Sequence, residues 1–295
     1  GGVGHAERVR EDVNRKQDGR QILQQSKSLL FWKVPLGNPD RLLEKLVPWV
    51  GWLVSLRFFL IWLVIVMSGG IAVSRNWVRF KDEMSGMFEV GNLFVLAVIW
   101  AALKVVHEFW HAIVCKRFGG NVPEMGVVLF MLVTPLGYVN ATSATRFPSK
   151  WRRIFVSAAG MYGEMFIAGL AAIIWAQLDP GILSRSLHEA IVISSVTTIL
   201  FNANPLMRFD GYYILADLTG VRNLYSKAQR SAAFWFRRWF LGADSDKNPI
   251  PDRDRKRWIT AYGVAAFFWR IGVMIGILSL VIHQWKGAGI VIGLI

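Results

Sequence analysis

The stretch AALKVVHEFWHAIVCKRFGG, residues 101–120, decides the reading of this chain, because it sets His107, Glu108 and His111 inside an apolar run long enough to enter a bilayer. On a helix the two histidines lie one turn apart on one face. Both imidazoles can then reach one metal ion, with Glu108 beside them as a base. This is the His-Glu-x-x-His pattern of a zinc hydrolase, and Gly119 and Gly120 supply the residues on which such a helix commonly ends.

Working outward, 54% of the 295 residues are hydrophobic, which fits either a large soluble domain or a polytopic membrane protein, so run lengths must decide. Segments near 49–73, 90–115, 154–177, 187–207 and 259–284 each approach the roughly 20 apolar residues of a membrane span, so five spans are expected. Residues 122–147 could pass for another, but Pro123, Gly126, Pro135 and Gly137 interrupt them and β-branched residues are frequent. They read as strands, a hairpin beside the metal whose edge could pair with an extended peptide. The fold expected is an all-α polytopic membrane protein with a small membrane-associated β-hairpin.

The net charge of +14 would suggest nucleic acid in a soluble protein, but its distribution argues otherwise. Residues 1–50 hold nine Lys/Arg, 114–153 six and 207–258 eleven, against three in 74–89 and one in 178–187. That asymmetry puts the basic segments in the cytoplasm by the positive-inside rule, assigns the charge to topology, and leaves no nucleic-acid partner to expect. Residues 1–30 read as a polar linker without a signal-peptide pattern. Residues 31–49 read as a short amphipathic helix along the inner interface with Asn38 as its cap, or as a plain connector. The chain starts on Gly1 and stops in GAGIVIGLI, which resembles half of a sixth span, so more protein is expected on both sides.

The single cysteine, Cys115, excludes a disulfide framework and any zinc site built on paired thiolates, leaving His and carboxylate as ligands. Two imidazoles fall one ligand short of a catalytic zinc site. Asp210 is the best-placed acid, on the cytoplasmic side with His111 and just after the break at Pro205. A helix-terminal aspartate in a turn before Gly211 is the other reading. Three charges fall at similar depth within the spans: Lys104, Glu164 and Arg270. Unpaired, each costs at least about 2.5 kcal/mol, so Glu164 is expected to pair with one of the cations, Lys104 being the better placed because it shares the His107/His111 face. Separate snorkelling of the cations, with Glu164 protonated, is the alternative.

HEFWH in one span and, about a hundred residues later, the run Asn202-x-x-Pro205-x-x-x-x-Asp210-Gly211 resemble the site-2 protease family of intramembrane zinc metalloproteases, in its peptide zinc metalloprotease branch. The resemblance covers roughly residues 90–220. It implies a site-2-protease-like helical bundle holding one Zn2+ per chain through His107, His111 and Asp210, with Glu108 as catalytic base and Asn202 in contact with substrate. It departs at Glu164, where the family usually has Asn, and in LMRFDGYY before and after Asp210.

On this reading residues 1–48 are a cytoplasmic linker and interfacial helix, 49–218 the intramembrane protease core, 219–258 a basic cytoplasmic segment and 259–295 C-terminal transmembrane segments. The function expected is hydrolysis of a peptide bond in or near a membrane segment of a protein or peptide substrate. The setting is the bacterial inner membrane, with the site toward the cytoplasm and a possible secretion-adaptor partner or fused domain. The rival reading is an accessory subunit of a peptide export system that keeps the protease fold, against which the intact Glu108 argues. A di-iron oxygenase needs many more histidines than the five present.

Overall fold

The computed structural model describes residues 31–130, 134–242 and 253–284. The expected linker over 1–30 and the half-span after 284 lie outside them. The described residues are mostly helical, with one small antiparallel sheet of order β1-β2-β3.

Strand β1 (Phe31–Gly37) leads into helix α1 (Asp40–Val50). The helix expected behind Asn38 forms, whereas the residues before it, 31–37, are a strand that the sequence reading did not foresee. This strand pairs antiparallel with β2 (Met125–Phe130), and a register shift between Pro35 and Gly37 marks where the proline, which has no N–H to give, sits on the sheet edge. Strand β3 (Thr134–Val139) completes the sheet, so the expected hairpin is real but carries a third strand on its far side. Asn38 Oδ1 takes the Asp40 N–H at 2.9 Å and turns the chain into α1.

Among the described residues, four helices are long and apolar enough to cross a membrane. They lie within α2 (Leu56–Arg75), α4 (Leu93–Arg117), α5 (Lys150–Trp175) and α9 (Arg253–Gln284), with the short α3 (Trp77–Glu83) between the first two. Ser55 caps α2 by accepting the Phe58 N–H. Exposed Phe59, Leu60, Val64 and Met67 on α2, and Phe268, Met274 and Ile275 on α9, give these helices the apolar exterior that lipid would cover. The span expected over 187–207 differs. It is helix α6 (Ile182–Val196) running into a π-helical segment over Thr197–Asn202, and its α-helical part is only 15 residues.

Helix α5 is the hub, packing against α2, α4, α6 and α7 (Asp210–Thr219). Its small residues explain this: a Cβ on Gly69 of α2 would stand 2.7 Å from Gly169 Cα, so the two helices cross glycine on glycine. Helix α4 ends as the sequence suggests, Gly119 adopting φ +84° and the Gly120 N–H returning to Cys115 O. Past α7, helices α8 (Leu224–Leu241) and α9 pack around Leu224, Ala228, Ile259 and Tyr262. This makes the 219–258 stretch partly a structural element of the bundle.

Candidate metal centre

Helix α4 delivers His107 and His111 to the face that meets α5, and the start of α7 delivers Asp210. His107 Nε2 lies 3.1 Å from His111 Nε2 and 3.1 Å from Asp210 Oδ2, and His111 Nε2 lies 3.4 Å from the same oxygen. Donors bound at about 2.0–2.1 Å to a tetrahedral zinc stand roughly 3.3 Å apart, so this triangle has the right edge.

The hydrogen bonding around the triangle supports the same use. His111 Nδ1 lies 2.6 Å from Val156 O and donates to it, which leaves Nε2 bare. His107 Nδ1 lies 3.2 Å from Glu164 Oε1 without an aligned hydrogen bond, and a proton on Nδ1 would face that carboxylate and leave Nε2 bare toward His111 and Asp210. Three lone pairs thus converge within 3.4 Å, and Asp210 Oδ2 is buried without an aligned hydrogen bond. Such a cluster is repulsive until a cation sits among it.

The approach of α5 is what makes room. A Cβ on Gly160 would meet the His107 ring, with Cδ2 at 2.6 Å and Cε1 and Nε2 closer, so only glycine lets the helix lie this near. Glu108 is partly buried on the same turn of α4, beneath β3: a Cβ on Gly137 would lie 3.5 Å from Glu108 Cγ.

Glu164 is 0% exposed and takes four contacts. Oε1 accepts from Lys104 Nζ at 2.7 Å beside His107, and Oε2 accepts from Thr198 Oγ1 at 2.5 Å and Asn202 Nδ2 at 3.2 Å. Arg270 lies elsewhere, its Nε donating to Ala266 O and its guanidinium 5.4 Å from the Tyr225 ring. Sequence reasoning missed Thr198 and the Val156 carbonyl. Thr198 stands four residues before Asn202, a spacing that could have flagged it, whereas a backbone carbonyl leaves no sequence signal.

Two imidazoles one helical turn apart and a carboxylate from a second helix thus form a group that could hold a metal ion. The protein named "Putative peptide zinc metalloprotease protein YydH", from Bacillus subtilis (strain 168), is 27% identical to this chain over 163 residues. Those residues are 55% of this chain and 63% of that protein, so the chain spans less than two thirds of the relative's length. No family profile matches the chain, and no solved structure does.

Proposed function

We propose that the chain is the membrane-embedded catalytic core of a zinc metallopeptidase, similar in fold and site to the site-2 proteases, which hydrolyses a peptide bond in or near a membrane segment of a protein or peptide. The observation that carries this reading is the triangle of His107 Nε2, His111 Nε2 and Asp210 Oδ2 with edges of 3.1–3.4 Å. These three residues hold the zinc, one per chain. Bound there, zinc supplies Lewis acidity and brings the pKa of water down to about 7.

The chain's own residues do the rest. Glu108 takes the proton of the attacking water and returns it to the leaving amine, so the base is free again after each turnover. Asp210 and the two imidazoles stay fixed. The edge of β3 beside Glu108 holds the substrate as an extended strand, which a helical substrate must become before its carbonyls are open to attack. The substrate contact that the resemblance assigns to Asn202 competes with Glu164 for the same amide nitrogen. Lys116 and Arg117 at the end of α4, with Lys150, Arg152 and Arg153 at the start of α5, put positive charge at the site's end of the bundle, which supports a cytoplasmic placement by the positive-inside rule.

The test compares wild type with Glu108→Gln and His111→Ala in detergent-solubilised membranes, reading zinc content and newly formed peptide N-termini. Wild type and Glu108→Gln should carry near-stoichiometric zinc, His111→Ala little, and only wild type should generate new termini. Termini that appear equally with Glu108→Gln would end the peptidase reading.

A further inference from the structure

We infer that Glu164 is a positioning residue for His107, and that Thr198 and Asn202 act on the metal centre through Glu164. The inference rests on the zinc reading of the triangle and adds a second layer of residues to it.

The argument begins with what a buried carboxylate needs. An ionised Glu offers about four lone-pair directions, and leaving one empty in a fully buried site costs free energy. Here three are filled by Lys104 Nζ, Thr198 Oγ1 and Asn202 Nδ2. The fourth neighbour is His107 Nδ1 at 3.2 Å, and that nitrogen has no aligned partner of its own. The contact serves both sides only if Nδ1 carries the proton. That is the tautomer in which Nε2 points a lone pair at His111 and Asp210.

Three separate elements converge on the carboxylate, which separates this from a chance ion pair. Lys104 comes from α4, one turn before His107. Glu164 comes from α5, one turn after the Gly160 on which the His107 ring rests. Thr198 and Asn202 come from the π-helical segment that follows α6. An α-helix widened to π pitch is a common device at functional sites, and here its two polar side chains both meet one oxygen of Glu164. The segment has a second effect, since Asn202 stands eight residues before Asp210. The group that orients the first histidine is thereby tied to the strand of chain that delivers the carboxylate ligand.

A carboxylate behind a ligating histidine fixes ring orientation and raises ligand basicity, and its loss typically costs about ten- to hundredfold in metal affinity. Asn202 spends its amide nitrogen on Glu164. If its effect on the site runs by this route, changing it should alter the metal itself, whereas a substrate contact would alter only substrate binding.

The experiment measures zinc affinity by competition with a chromophoric chelator, and the visible absorption of the cobalt-substituted protein as a signature of ligand geometry. It uses wild type, Asn202→Ala, Thr198→Val and the double variant Lys104→Met/Glu164→Gln. The double variant removes both charges together and so leaves no unpaired buried ion. We expect zinc affinity to fall about ten- to hundredfold in the double variant and less in the two single variants, with a shifted cobalt spectrum in each. Folded variants with wild-type zinc affinity and cobalt spectrum would overturn the inference while leaving the metal site intact. A wild-type protein that binds neither metal would instead take down the zinc reading and this inference with it.

Discussion

Replacing Gly160 by alanine probes the distance between α5 and the histidine helix. The added Cβ would stand 2.6 Å from His107 Cδ2 and nearer still to Cε1 and Nε2. Carbon atoms settle at about 3.5–4.0 Å, so the ring must retreat by roughly 1 Å at the least, or α5 must back away. Two effects oppose each other. Alanine favours a helix over glycine by about 1 kcal/mol, and overpacking a closely fitted contact costs about 1–3 kcal/mol. The overlap involves several atoms of a rigid ring held by Glu164, so the steric cost should win. Because the displaced ring carries a ligand nitrogen, the cost appears in zinc affinity, where 1–3 kcal/mol is roughly a five- to 150-fold loss. Gly163→Ala is the control, since its Cβ would meet the Trp110 indole with Cγ at 2.6 Å, an equally severe overlap with a side chain that binds nothing. Chelator competition and thermal unfolding should separate them: Gly160→Ala loses zinc affinity, Gly163→Ala loses stability and keeps zinc. Equal zinc affinity in Gly160→Ala and wild type would refute the placement of α5, as would an equal loss of zinc in both variants.

Asp217 Oδ1 accepts from Arg153 Nε at 2.6 Å and ties α7, which begins at Asp210, to the start of α5. Asp217→Asn should therefore weaken zinc binding by up to about fivefold, the measure of a partly exposed ion pair, and unchanged zinc affinity in chelator titrations would show that the pair does not hold Asp210 in place. Asp40 accepts from Lys116 Nζ and from the Val122 N–H, and the Lys116 hydrogen bond foremost holds its carboxyl below the usual carboxylate range. A depressed folded pKa contributes stability that is present above the unfolded value of about 3.9 and disappears as pH falls through the folded value. Asp40→Asn should thus unfold at lower temperature than wild type at pH 7, with the gap closing in strong acid; a gap independent of pH would remove the ionic explanation. In a Cys115→Ala background, an impermeant thiol reagent should label Ser85→Cys from outside intact cells and Arg222→Cys only after permeabilisation, and the opposite pattern would invert the proposed topology.

The pattern carried by α4 was legible because its information is local: the i, i+4 histidines, the apolar flanks and the terminating glycines all fall within one helix. The hairpin was legible for the same reason, since Pro and Gly interrupt an apolar run too β-branched for a span. Strand β1 was not, because FWKVPLG is short, carries a proline and has meaning only beside β2, some ninety residues away. Of the charges within the spans, Glu164 meets Lys104, the cation that shares a face with the histidines, whereas Arg270 stacks on Tyr225. Depth along a helix axis is readable from sequence, but rotation about that axis is set by neighbours. The span expected over 187–207 kept its length and lost its regularity, because π pitch over 197–202 depends on what Thr198 and Asn202 find to bond.

The return of the chain from Asn202 to Asp210 shows how far the site depends on distant packing. After the π-helical segment, the Ala203 N–H still bonds back to Thr198 O, and then Asn204 Oδ1 accepts the Leu206 N–H to form a turn around Pro205. The Pro205 carbonyl, unable to continue a helix, accepts from Tyr262 Oη at 2.6 Å. Phe209 is extended, α7 begins at Asp210, and Gly211 packs so closely on the turn that a Cβ there would stand 2.6 Å from the Ala203 carbonyl carbon. The Asp-Gly pair is therefore one device: the aspartate points to the imidazoles because the glycine beside it lets the chain double back against residue 203. Proline supplies the break and glycine the close return, both visible in sequence. What fixes the loop between them is a tyrosine on α9, more than fifty residues on. Helix α9, long and apolar enough to cross a membrane, thereby also braces the loop that leads to Asp210, and the residues that hold the proposed third ligand in register extend well beyond the HExxH helix.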